Sequence, residues 1–252
     1  MRIPQQPDAS IPSGARVPAY HCEERYGYVW VALGDPLLPI PELPEDGDPA
    51  FRRVHQFYEV WKCSAFRLME NSFDAAHIAF VHRATFGEID RPQVSKREIT
   101  ETDFGFKAYS ETPVKNRGEA ARVLQVEGEA TVRRSHSSWF MPFARQLGIT
   151  YPNGLKHYIV TNATPIDDAS IMVVQWCYRN DSDEDVPASA VVEWDRKITE
   201  EDREMLEATE YDACIDTRRK LEFHMDSDRP GLLMRERLLK LFHENGEEEA
   251  HL

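Results

Sequence analysis

The chain reads as an α+β protein, one antiparallel sheet followed by helices, and three features of the sequence predict this. Between residues 57 and 179, short runs rich in β-branched and aromatic side chains are separated by Gly, Pro, Asn and Asp clusters, the pattern of successive strands and turns. The connections between these runs are too short for parallel crossovers, so neighbouring strands pair antiparallel. From about Ala188 the apolar residues recur at a helical period, which places helices after the sheet. With 252 residues and 41% apolar side chains, the chain suffices for one domain with a proper core, or one domain and part of another.

Nine of the 16 prolines fall within the first 50 residues, where they remove ladder donors and fix extended or turn conformations. That stretch reads as loop, interrupted by one strand over 26–33 (YGYVWVAL) that stops at Gly34-Asp35-Pro36. Residues 37–50 hold prolines and acids with no sustained period and read as a linker, dividing a segment 1–36 from a main domain 51–244. In the main domain a strand is expected at 57–64, then a helix from Ala65 to about Val81. Further strands are expected at 93–100, 104–111, 122–134, 155–164 and 169–179. Helical sequence follows over 188–223 and 232–242, and an acidic tail, 245–252, is expected to be disordered.

The 44 acidic side chains against 30 basic ones leave a formal charge of −14, which repels phosphate backbones and anionic lipid and argues against nucleic acid or a membrane surface as partner. No apolar run reaches bilayer length and the first residues do not resemble a signal peptide, so a cytoplasmic location is expected. Cys22, Cys63, Cys177 and Cys214 are too scattered for a CxxC pair and are expected to be reduced, mostly buried thiols.

Residues 70–82, ENSFDAAHIAFVH, place Asn71, Asp74, His77 and His82 in an otherwise apolar helix. Asp74 and His77, three apart, share a helix face, so the carboxylate can orient one ring nitrogen and leave the other free for a metal. His82 lies five residues from His77, and a regular helix turns it about 140° away. The two rings meet only if the helix ends or widens near Val81, and Arg83 to Gly87 has the look of a helix exit. Otherwise His82 caps the helix as a cation and His77 is a satisfied core histidine. A zinc-peptidase arrangement is excluded, since HIAFVH has neither the i, i+4 spacing nor the glutamate of HExxH. Two imidazoles with a carboxylate suit oxygen-activating iron(II) instead. For the carboxylate, Ile198, Asp202, Met205 and Thr209 follow at helical spacing and put Asp202 in a largely apolar stripe, where a buried acid needs a partner. Two alternatives stand: Thr199-x-x-Asp202 as a capping box, and Glu201 in place of Asp202.

ENSFDAAHIAFVH resembles the iron-binding signature of Rieske-type non-haem iron oxygenase alpha components, Asn-x2-Asp-x2-His-x4-His, with every position filled. The resemblance implies that His77 and His82 are iron ligands, that Asp74 bridges towards a neighbouring subunit's cluster and that Asn71 lies near the iron. KITEEDREMLEATE, 197–210, resembles the helix that carries the third ligand in vanillate and dicamba O-demethylase-like members, which implies Asp202 for that role. RYGYVWVALGDP, 25–36, is similar to the closing strand of the Rieske domain. The family carries CxH and CxxH pairs that hold a [2Fe-2S] cluster, and this chain has neither. The resemblance therefore implies a C-terminal remnant of the Rieske domain at 1–36, poorly supported and most simply explained as an incomplete gene product, before a mononuclear iron catalytic domain with a curved, helix-grip-like sheet. It further implies Fe(2+) as cofactor and the cluster only in the full-length protein. The implied reaction is hydroxylation or demethylation of an aromatic or apolar small molecule with O2, and the implied partners are a reductase or ferredoxin and, at full length, a homotrimer. The substrate pocket is expected beside strands such as 137–143 and 171–178. The rival reading is a non-catalytic helix-grip domain that binds a hydrophobic ligand without metal.

Overall fold

The computed structural model describes residues 3–93, 96–116, 118–210 and 214–249. Parts of the strand expected at 93–100, the helix expected over 188–223 and the acidic tail lie outside them. The chain divides into two units, the first ending at Glu42 and the second running from Leu43.

In the first unit β1 (His21–Arg25) and β2 (Tyr28–Ala32) form an antiparallel hairpin. Tyr26 and Gly27, expected to open a strand, are its two-residue turn, with φ of 62° and 79°. Two successive positive φ values match the right-handed twist of the flanking strands. The charged run HCEER, which shows no alternation, was not expected to be a strand at all. The Tyr26 hydroxyl donates to the Pro41 carbonyl at 2.6 Å, tying the hairpin to the proline-rich segment behind it.

The second unit is built on seven strands: β3 (Arg52–Trp61), β4 (Lys96–Thr102), β5 (Gly105–Lys115), β6 (Ala130–Phe140), β7 (Ala144–Thr150), β8 (Lys156–Asp167) and β9 (Ser170–Arg179). They form one antiparallel sheet in the order β3-β9-β8-β7-β6-β5-β4. The helices are α1 (Ala65–Phe73), α2 (Ile78–Val81), α3 (Gly118–Leu124), α4 (Ala188–Glu207) and α5 (Arg229–Glu244). The expected α+β class, with a sheet followed by C-terminal helices, is what the structure has. Two expectations fail for local reasons. Residues 122–124 end α3 instead of beginning a strand, because Gly128 turns the chain at φ 84° before β6. β7 was missed because Gly148 interrupts its pattern; a Cβ there would stand 2.7 Å from the Tyr158 ring, so the strand needs glycine for that close approach.

This topology positions the histidine motif. β3 and β4 are opposite edges of the sheet, so the segment joining them must cross six strand spacings of about 4.8 Å, or roughly 29 Å. α1 makes that crossing over β7 and β8, and α4 and α5 pack beside it. The core between them buries Trp61, Phe66, Met69, Phe106, Trp139 and Met234. The pocket-wall expectation for 137–143 and 171–178 holds in part: Ser137, Val173 and Gln175 line a cavity, whereas Trp139 and Trp176 are fully buried core. Cys63, Cys177 and Cys214 are buried and Cys22 is exposed, all as free thiols.

α1 is fixed at both ends. Ser64 accepts a hydrogen bond from the Arg67 amide at 3.2 Å, satisfying an orphan donor of the first turn. Near the other end Glu70 takes a bidentate pair from Arg235 of α5, at 2.8 and 3.0 Å, and Arg235 is only 3% exposed. Glu222 completes the network with Arg235 and Arg67, each at 2.6 Å. Where the tail was expected to fray, Glu249 instead accepts from the Asp216 amide at 3.0 Å. Without Glu70 the buried Arg235 loses its bidentate partner and keeps Glu222 alone. Glu70→Ala is therefore expected to lower unfolding stability by about 3 kcal/mol, measured by urea denaturation, with Glu222→Ala costing less.

Candidate metal centre

The helix expected over 65–81 is broken, and the break creates the site. α1 stops at Phe73, and Asp74 adopts an extended conformation, φ −76° and ψ 124°. Its carboxylate then accepts from the amides of Ala76 at 2.8 Å and His77 at 3.0 Å, restarting the chain as the short α2. His77 precedes α2, and His82 follows it at the head of a tight turn over 82–84. The two histidines flank the single turn of α2, and their side chains bring the Nε2 atoms together from its two ends. The exit is closed by the amides of Thr85, Phe86 and Gly87, all directed to the His82 carbonyl at 3.0, 3.1 and 2.7 Å.

Both imidazoles meet Asp202 of α4. Nε2 of His77 and Nε2 of His82 are 3.3 Å apart, and they lie 3.4 and 3.3 Å from Oδ1 of Asp202. Asn71 donates to the same oxygen at 3.0 Å. The outer nitrogens are also held: His77 Nδ1 lies 3.2 Å from Asp74 Oδ2, and His82 Nδ1 lies 2.8 Å from Glu201 Oε2. Thr85 donates to the same Glu201 oxygen at 2.7 Å, and Phe86 stacks on the His82 ring with centroids 4.9 Å apart.

All five residues singled out in the sequence thus come together. Glu201, held there as a substitute for Asp202, orients His82 instead. The capping alternative for Asp202 fails because α4 begins at Ala188, well upstream, and Thr199 donates to the Asp195 carbonyl within the helix. His82 is the C-cap residue of α2, and its two ring nitrogens face Glu201 and Asp202. Sequence reasoning missed Arg133 and Arg145, which share the cavity wall with the site. Parity was the available signal for the first, since Arg133 alternates in phase with Ser135, Ser137 and the buried Trp139 along β6.

The electrostatics follow from this convergence. Burial opposes ionisation of Asp202, but the two imidazoles outweigh it and hold the carboxyl far below the usual range. Burial likewise opposes a charge on His77, yet Asp202 and Asp74 push it up to about 9, and His82 is raised by Asp202 and Glu201. Lone pairs aimed at one point need a positive charge there, and a proton meets that need when no cation does. A cation fits as well. Three atoms at the corners of a triangle of side 3.3–3.4 Å lie about 1.9 Å from its centre, close to metal bonds of about 2.0–2.2 Å to imidazole nitrogen and carboxylate oxygen. A second group, His157, Cys177 and Asp195, is completely buried, and burial raises the Cys177 thiol well above its ordinary value, which disfavours the thiolate a metal needs.

An antiparallel sheet crossed by a broken helix, with two imidazoles and one carboxylate converging beneath it, defines an α+β protein with a candidate mononuclear metal centre. Residues 61–244 match the family model for the vanillate O-demethylase oxygenase C-terminal domain, and the chain belongs to that family, the catalytic domain of Rieske-type oxygenases. Among curated relatives, methylxanthine N1-demethylase NdmA of Pseudomonas putida is 27% identical over 168 residues, 66% of this chain and 46% of that protein. The dicamba O-demethylase oxygenase component of Stenotrophomonas maltophilia is 31% identical over 106 residues, 40% of this chain and 31% of that protein. The chain spans about half the length of the two demethylases of Pseudomonas putida that it matches, 46% and 56%. In fold it is similar to NdmA with caffeine, with a TM-score of 0.75 at 24% identity, covering 97% of this chain and 69% of that one. It is also similar to dicamba monooxygenase bound to 3,6-dichlorosalicylic acid, with a TM-score of 0.76 at 21% identity, covering 95% and 74%.

One backbone position controls the turn that carries His82. A Cβ on Gly87 would stand 2.5 Å from the Ile78 carbonyl oxygen and 2.9 Å from the His82 carbonyl carbon, backbone that cannot move without moving the ring. Gly87→Ala is expected to cost about 1–3 kcal/mol in thermal or urea unfolding, as overpacking does.

Proposed function

We propose that His77, His82 and Asp202 bind ferrous iron and that the domain is the oxygenase part of a system that hydroxylates or demethylates a small aromatic or apolar molecule with O2. The observation that carries this reading is the meeting of three donor atoms, each within 3.4 Å of the other two, from segments more than 100 residues apart. Bound there, ferrous ion supplies the redox chemistry through which dioxygen oxidises an organic substrate.

The protein groups have separate tasks. Asp74 and Glu201 fix the imidazole tautomers so that both Nε2 atoms stay available, and Asn71 holds the Asp202 oxygen in place. Asp74 is 31% exposed where His77 is 12%, so its carboxylate links the buried ring to the surface. That placement supports a role for Asp74 in passing electrons from a neighbouring subunit's cluster in a homotrimer. Electrons would come from a separate reductase or ferredoxin through a [2Fe-2S] cluster, whose CxH and CxxH ligand pairs are not in this sequence. In the same proposal residues 1–36 correspond to the last strands of a cluster-binding domain and 51–244 to the catalytic domain, with a cytoplasmic location; no helix among the described residues is long and apolar enough to cross a membrane.

Reconstituted anaerobically, the protein is expected to take up about one ferrous ion per chain, a single-site stoichiometry. The double variant His77→Ala, His82→Ala should take up none while its far-ultraviolet circular dichroism stays unchanged; equal uptake by that variant would count decisively against the site. Glu201→Gln, which leaves all three ligands in place, is expected to weaken ferrous affinity about 10- to 100-fold in a competition titration with a chromophoric chelator. Mixed with substrate and air, the iron-loaded chain is expected to turn over only when a chemical reductant supplies electrons; turnover without one would refute the need for a cluster.

A further inference from the structure

The cavity that reaches the triad, about 140 Å³, carries two guanidinium groups on its sheet side that the iron chemistry leaves unused. Arg133 projects from β6 and Arg145 from the neighbouring β7. Among the described residues neither has a carboxylate within ion-pair distance, and Nε of each is buried with no hydrogen-bond partner. Arg145 makes one bond, from Nη1 to the Ser72 carbonyl at 3.2 Å. Arg133 lies with its Cζ 5.0 Å from the centre of the Phe86 ring that stacks on His82, which sets it beside the triad.

The acids that act on these groups from a distance are committed elsewhere. Asp202 serves the two imidazoles and Asn71, and Asp195 serves Gln56 and His157. Of the other two cations on the wall, Lys115 pairs with Glu88 and Asp90, and Arg97 bonds the Ser227 carbonyl and leaves Nη2 buried without a partner. Burial disfavours the charge on both free guanidiniums, lowering Arg133 and pushing Arg145 down to about 10, and Arg145 also feels the positive charge of Arg133. A buried cation without a counter-ion is costly, and a protein with a net charge of −14 has placed two of them facing one cavity.

Resting on the oxygenase reading above, we propose that the substrate carries a carboxylate which Arg133 and Arg145 hold together, leaving its apolar body against Leu147, Ile149 and Ile159 with its reacting end towards the triad. The guanidinium fork offers paired N–H donors matched to a carboxylate, and the ion pair forms inside a cavity that screens it little. Apolar residues of β7 and β8 give the rest of the molecule a surface to bury against.

Calorimetric titration of the full chain with 2-naphthoate and with 2-naphthamide, probes of one shape that differ in charge, tests this. The carboxylate is expected to bind at least about tenfold more tightly than the amide, and Arg133→Met and Arg145→Met should each remove most of that preference while leaving amide affinity in place. Equal affinity of the two probes for the wild-type protein would overturn the proposal. So would an intact preference in both variants. Without ligand, the variants should unfold close to the wild-type temperature or above it, because the deleted charges had no counter-ion; a fall of several degrees in both with the preference retained would assign the arginines to the fold. Should a variant fail to fold, the acid-to-amide ratio of the wild-type protein decides. Iron uptake by the same samples separates the two readings. Protein that binds iron but shows no preference loses the carboxylate site alone. Protein that prefers the carboxylate but takes up no iron keeps the anion site and loses the oxygenase reading.

Discussion

Everything in the site depends on the chain leaving helical geometry between Phe73 and Ile78. The break turns the short α2 away from the line of α1, so that His77 before it and His82 after it both direct Nε2 to Asp202. The break is produced by a carboxylate. Asp74 takes the amides that a continuing helix would have bonded to carbonyls, and it holds the His77 ring with the same oxygen that caps the turn. A backbone device and a ligand-orienting device are thus one side chain, which ties local conformation directly to the chemistry the site can support.

That local geometry is held in place from three directions by long-range packing. Glu70, one residue before Asn71, is locked to the buried Arg235, so the end of α1 cannot rotate without breaking a bidentate ion pair. Gly87 lets the exit turn pack against the carbonyls of Ile78 and His82. Glu201 and Asp202, adjacent on α4, reach the two sides of His82, and a single helical face therefore supplies both a candidate ligand and the group that orients its neighbour. A cavity wall with cationic groups lies beyond, within a chain that is acidic overall. The net charge that argues against nucleic acid as a partner therefore says nothing about the charge the cavity presents.

Much of this was legible in the residues. Strand alternation and short connections sufficed for the α+β class, because period-2 burial leaves its mark on every strand that has a wet face and a dry one. The polar cluster in residues 70–82 stood out because polar groups in an apolar segment need partners. Elements without a clear apolar alternation were not legible: β1 (HCEER) has none, and β7 is interrupted by a glycine that only the Tyr158 ring explains.

By itself the sequence determined the periodicities, and with them the class of fold, the residues able to bind a metal and the need of Asp202 for a partner. Only the tertiary structure shows that Asp202 faces the imidazole Nε2 atoms and that Glu201, its neighbour on the same helix, faces His82 Nδ1. It alone also decided that Arg133 and Arg145 face the cavity without counter-ions. The physical reason is common to both: spacing along a chain specifies which face a side chain occupies, whereas partnership depends on what the other elements bring to that face.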